Sequence, residues 1–135
     1  MTARISFSLL AAAILAWTLS GCGGVGGSLI APADVLSLAG KDSTVVLLDV
    51  RTPEEFSGET GHLAGAILIP VQELDIRVGE LTKYHDRTIV VYCRTGHRST
   101  SATEILQSHG FKVMNMEGGI TRWRAERLPT VQRDQ

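Results

Sequence analysis

Cysteine is scarce in this chain: 135 residues hold only Cys22 and Cys93. No Cys-x-x-Cys pair exists, so dithiol chemistry of that type is excluded, and one disulfide is the most the chain can form. An excess of charge of either sign is also lacking. The 13 Lys and Arg against 14 Asp and Glu leave a formal net charge of −1. With three Phe, two Tyr and two Trp as its whole aromatic content, the chain has neither a basic stripe nor an aromatic platform, and nothing points to a nucleic-acid partner. His62, His85, His97 and His109 stand apart with no metal-ligand spacing, so no metal site is expected. Internal repeats are absent, and the length allows one domain and hardly two.

The sequence does contain an apolar opening. After Arg4, the stretch Ile5 to Leu19 is interrupted only by Ser6, Ser8 and Thr18. It is short for a membrane-spanning helix of roughly 20 residues and fits the core of a signal peptide followed by small residues. Leu19-Ser20-Gly21-Cys22 resembles the lipobox of bacterial lipoproteins, in which the cysteine is lipidated and becomes the mature N-terminus. The resemblance implies a signal peptide over 1–21, a lipidated Cys22 and a protein attached to a membrane without spanning it. It implies a place in the cell envelope, facing the periplasm or the exterior. In an organism with two membranes, Gly23 after the cysteine, in place of an acidic residue, is a weak hint of the outer one. Residues 22–29, rich in glycine, are expected to be a flexible tether; its glycine run of six residues would span about 15 Å.

The remainder reads as strands alternating with helices over 30–128, with a polar, loose tail over 129–135. Pro32 suits a first helical turn, and Val35, Leu36 and Leu38 then point to a short helix that stops at Gly40. Thr44-Val45-Val46-Leu47-Leu48-Asp49-Val50 and Thr88-Ile89-Val90-Val91-Tyr92 are continuous apolar runs, the pattern of strands buried on both faces. Pro53 to Phe56 suits one helical turn. Ala66 to Ile69 and Lys112 to Asn115 suit shorter strands. Val71 to Leu81 carries helical spacing with a weak point at Gly79, Ser99 to His109 is a helix that Ser99 can cap, and Gly118-Gly119 opens a last helix to Arg127. This alternation argues for an open α/β domain with a mostly parallel sheet, whose ligands bind beyond the carboxyl ends of the strands. Asp49 and Cys93 both fall at that edge.

The loop Cys93-Arg94-Thr95-Gly96-His97-Arg98-Ser99 carries the chemistry. A free thiol has a pKa near 8.5, which cations and helix N-termini lower to about 3.5–7.5. Arg94 and Arg98 supply fixed charge. Gly96 lets the backbone turn, and the loop's N–H groups can converge on an anion ahead of the helix. Cys93 is therefore expected to be a thiolate nucleophile rather than a small buried hydrophobe. Arg94, Thr95, Gly96, His97 and Arg98 are expected to line the substrate. His97 is expected at the rim, not as a general base, and Arg98 is expected to turn inward and hold the loop, pairing with Asp49.

At this point the chain resembles the rhodanese domains. The matching pieces are Leu48-Asp49-Val50-Arg51-Thr52-Pro53-Glu54-Glu55-Phe56, Gly61-His62-Leu63-Ala64-Gly65-Ala66 up to Pro70, Val90 to Ser99, and Glu117-Gly118-Gly119-Ile120 with Trp123. They span about residues 30–127. The resemblance implies a five-stranded parallel sheet flanked by helices and sulfur transfer through a persulfide on Cys93, without a cofactor. It also implies that Asp49 steadies the loop through Arg98. Two departures stand in one loop: Ser57-Gly58-Glu59-Thr60 is longer than the usual spacing, and Ala64 replaces the common proline.

Cysteine phosphatases need five residues between Cys and Arg; here only four separate Cys93 from Arg98, which sets phosphate chemistry aside. The expected reaction takes sulfur from a small anionic donor such as thiosulfate and gives it to cyanide or a thiol. The competing expectation is a non-enzymatic module that carries sulfur or docks a redox protein at the membrane.

Overall fold

The computed structural model describes residues 27–41 and 44–132. The signal segment 1–21, Cys22, the glycines at 23, 24 and 26 and the last three residues of the tail lie outside the described residues. Among those described, no helix is long and apolar enough to cross a membrane.

Five strands form one parallel sheet: β1 (Ser28–Ile30), β2 (Val45–Asp49), β3 (Ile67–Leu68), β4 (Thr88–Tyr92) and β5 (Lys112–Met116). Their order is β1-β5-β4-β2-β3. The helices are α1 (Pro32–Lys41), α2 (Pro53–Ser57), α3 (Val71–Arg77), α4 (His97–Ser108) and α5 (Gly119–Ala125), with a 3-10 helix over Val78–Tyr84. The apolar runs explain the centre of the sheet. Side chains alternate across a strand, so an unbroken run must be covered on both faces. Val46, Leu48, Ile89 and Val91 pack beneath Leu74 of α3 and Ala102 and Leu106 of α4. Leu47, Val90 and Tyr92 pack on the other face against Val35 of α1 and Ile120 and Trp123 of α5.

Five boundaries depart from expectation. The tether ends sooner than expected, because Ser28 and Leu29 pair with Met114 and Asn115 as the first residues of β1. Three residues are too few to show a strand's alternation. Helix α1 runs through Gly40 to Lys41. The helix expected over 71–81 changes to 3-10 geometry at Val78, next to Gly79, yet it keeps Leu74 and Leu81 buried. Helix α4 starts two residues early, at His97. Its N-cap is Gly96, not Ser99. The tail is not loose over 129–132: Val131 bridges His62 through both backbone hydrogen bonds, the Trp123 indole N–H donates to the Pro129 carbonyl, and the Gln132 amide donates to that of Glu59.

Candidate active site

Strand β4 delivers Cys93 to the carboxyl edge of the sheet, and the chain then curls back over the sulfur. Gly96 has φ +114°, a left-handed conformation that side chains rarely adopt. That turn aims the Gly96 N–H at Sγ, 3.0 Å away. It also starts α4 directly behind the sulfur, so the unpaired N–H groups of the first turn face it. Ser99, in that first turn, is fully buried. Its hydroxyl donates to the Gly96 carbonyl at 3.0 Å and lies 3.5 Å from Sγ. The thiol donates to this oxygen; once ionised, sulfur can instead accept from the hydroxyl. Burial, which leaves Cys93 only 1% exposed, acts to raise its pKa. The Ser99 hydroxyl and the backbone N–H groups of Ser99, Gly96 and Thr95 act the other way, and the net shift is downward.

The loop is pinned from outside by α5. The N–H groups of Ile120 and Thr121 donate to the carbonyls of Cys93 and Arg94 at 2.9 and 3.0 Å. So close an approach needs Gly119: a Cβ there would stand 2.5 Å from both carbonyl oxygens, and its φ is +56°.

The basic residues divide. Arg94 is exposed and makes no ion pair with any described residue, leaving its guanidinium open to an anion. Thr95 and His97 are exposed at the rim. Arg98 turns away to Glu55, with both terminal nitrogens 2.7 Å from its two carboxylate oxygens. The Arg98 hydrogen bonds, aided by the Thr52 N–H, hold the Glu55 carboxyl down at about 2.

The expected pairing of Arg98 with Asp49 does not occur. Asp49 is fully buried and bound by Arg51, with one contact of 2.6 Å and two more to the guanidinium Nε at 3.0 and 3.1 Å. A carboxylate with no solvent needs a partner at hydrogen-bond distance, and Arg51, two residues on at the same strand end, reaches it first. Arg51 then donates to the Gly61 carbonyl at 2.8 Å and to Thr60 Oγ1 at 3.1 Å. Asp49 thus supports the Thr60–Gly61 loop that follows α2, and Glu55 takes the role expected of Asp49. The sequence marks Glu55 only as the third helical residue of a capping box, Thr52-Pro53-Glu54-Glu55, whose two hydrogen bonds the structure forms; nothing in that motif signals Arg98. The expected N-cap role of Ser99 is likewise replaced by its contact with sulfur.

The arrangement sets a buried thiol, its pKa lowered, beside Arg94, which pairs with no described acid, and a set of N–H donors, suited to attack on an anion. Comparison with known proteins places the chain in a family. The profile of the Rhodanese-like domain matches residues 31–126. A sulfurtransferase of Allochromatium vinosum is 40% identical over 64% of this chain and 78% of its own length. The thiosulfate sulfurtransferase PspE of Escherichia coli is 37% identical over 54% of this chain and 68% of its own. The crystal structure of a rhodanese-related protein from Thermoplasma volcanium superposes with a TM-score of 0.69 at 34% identity, covering 77% of this chain and 97% of that one. With sheet order, sulfur loop and sequence in agreement, the chain belongs to the family of rhodanese-like domains, which links it to sulfur transfer.

Proposed function

We propose that this protein moves sulfane sulfur from thiosulfate, or a donor like it, to cyanide or a thiol, through a persulfide on Cys93. The observation that carries this reading is the Gly96 N–H 3.0 Å from Sγ in a loop whose net effect on the thiol is to lower its pKa. The Cys93 thiolate attacks the outer sulfur of thiosulfate. A sulfur–sulfur bond forms to Cys93, the bond to the sulfonate sulfur breaks, and its electron pair leaves with sulfite. The acceptor then attacks the outer sulfur of the persulfide and the Cys93 thiolate is restored. A thiol ionised at the working pH needs no separate base, and the lowered pKa of Cys93 favours that form. Arg94 offers its charge to the sulfonate end, and the converging N–H groups of Thr95, Gly96 and Ser99 hold the negative charge on the outer sulfur. The short loop and the shielded sulfur suit a slim terminal sulfur better than a phosphoryl group. The printed name of the Escherichia coli relative supports thiosulfate as the donor.

Incubation with thiosulfate should add the mass of one sulfur to Cys93, and Cys93→Ser should abolish thiosulfate:cyanide activity. No added sulfur favours the non-enzymatic docking module; activity retained in Cys93→Ser sinks the persulfide route.

The reading includes its place. A lipidated Cys22 would leave only residues 23–27 before β1, a reach of about 12 Å, and would hold the domain against the surface of an envelope membrane. Cys22→Ala should move the protein from the membrane fraction to the soluble one; unchanged partition rules the anchor out.

A further inference from the structure

The two edges of the sheet differ in charge. All three lysines of the chain, Lys41, Lys83 and Lys112, stand toward the edge where the strands begin, opposite the sulfur loop. Lys112 opens β5 and lies beside Thr88, the first residue of β4. Lys41 ends α1 and shares an open groove of about 500 Å³ with Arg87 and Tyr84; Val45 and Ile67, the first residues of β2 and β3, also line it. Lys83 and Arg87 both stand over the Tyr84 ring, 5.0 and 5.6 Å from its centroid. The ion pairs among the described residues involve none of these four cations. Asp86 precedes Arg87 and Asp42 follows Lys41 in sequence; with both counted against the four, positive charge is still in excess. The carboxyl edge has the opposite balance. Asp34 and Glu54, unpaired in the first turns of α1 and α2, outnumber Arg94. Acids at helix starts and bases at helix ends follow the helix dipoles, and helices that return against parallel strands add these preferences into one charge axis along the sheet.

Strand β1 also receives the chain from the basic side: it runs parallel to β5, and Gly27 lies beside Val113, next to Lys112. We propose that the edge bearing Lys41, Lys83, Arg87 and Lys112 rests on the anionic headgroups of a lipid bilayer, with the sulfur loop turned to the water. This rests on the anchor at Cys22 proposed above. A tether reaching about 12 Å is shorter than β4, whose five residues extend about 16 Å, so it keeps the edge that it enters nearest the lipid. Each basic residue near an anionic surface favours attachment about fivefold, and a half-exposed tyrosine suits the level of the headgroups. The sulfur donor and acceptor would then reach Cys93 from the aqueous side, not from within the bilayer.

The test uses the full-length lipoprotein added to preformed vesicles of phosphatidylcholine, alone or mixed with phosphatidylglycerol. The amines are labelled with sulfosuccinimidyl acetate, which does not cross the bilayer, and read lysine by lysine by mass spectrometry. The three lysines should label several-fold more slowly on the anionic vesicles, and the difference should vanish in 1 M salt, where the screening length falls to about 3 Å. Alkylation of Cys93 by iodoacetamide should be equal on both. Lys83→Gln with Arg87→Gln should return Lys41 and Lys112 toward the rates on neutral vesicles. Equal lysine labelling on both vesicles leaves that edge open to an acidic protein instead and overturns the proposal, as does a Cys93 shielded by anionic lipid. Flotation with the neutral vesicles reads the anchor separately. A protein that does not float there has lost the anchor reading, and the basic edge then stands only if an excess of anionic vesicles still slows the lysines.

Discussion

At the scale of single residues, the site depends on how a few donors are distributed. Cys93 is held below the ordinary thiol range by Ser99 and by backbone N–H groups, against its own burial. Its alkylation by iodoacetamide should accordingly stay fast at pH values below about 8.5, where an ordinary thiol is mostly protonated. Removing one donor with Ser99→Ala should move the midpoint of that profile up by about one pH unit, since a hydrogen bond to a charged group contributes about 1.5–3 kcal/mol. An unmoved midpoint would make Ser99 a packing residue only. The buried pair of Asp49 and Arg51 behaves differently. Asp49→Asn leaves the Arg51 charge enclosed without a counter-charge, at a cost of about 3–5 kcal/mol, visible as a lower urea midpoint. The place of Cys93 at the strand end, the exposed Thr95 and His97 and the turn at Gly96 were legible from the loop itself. The partner of Arg98 was not. Glu55 and Asp49 both lie far from Arg98 in sequence, and only the fold decides which carboxylate it meets.

Elements set the loop's position. Helix α2 holds it through Glu55, whose carboxyl is held at about 2 chiefly by the Arg98 hydrogen bonds. A depressed folded pKa stabilises the fold above the unfolded value of about 4.3, and the effect is lost as pH falls through about 2. Glu55→Gln keeps the cap at Thr52 but removes the ion pair. Wild type should be more stable than Glu55→Gln by about 1 kcal/mol at neutral pH, a modest figure because the pair is partly exposed. That difference should close between about pH 4.3 and pH 2. A gap that persists in acid would place the effect elsewhere. Helix α5 holds the other side. Gly119→Ala must push α5 off the Cys93 and Arg94 carbonyls, at about 2–4 kcal/mol of stability, and a loop shifted by an ångström should lose about a hundredfold in turnover. The paired glycines were legible as a helix opening. Their second role, letting one backbone touch another, depends on a contact between segments far apart in the chain and has no sequence signature.

Across the whole molecule, β2 and β4 were legible because a strand buried on both faces must be apolar throughout. The first strand was not, since it is an edge strand of three residues with Leu29 exposed. The tail was misjudged for a related reason: polar composition does not reveal that Val131 hydrogen-bonds to His62. Deleting residues 129–135 should free that bridge and the Trp123 indole, lowering stability by about 1–3 kcal/mol in a urea melt. The pairing of β1 has a consequence in time. Ser28, among the first folded residues to leave the ribosome, finds its partner Met114 only when nearly all of the chain has been made. An all-parallel sheet joined by such distant contacts closes slowly, because chain entropy is lost before the contacts form. The first strand is thus among the last to dock, and one edge of the sheet stays open until β5 has been made.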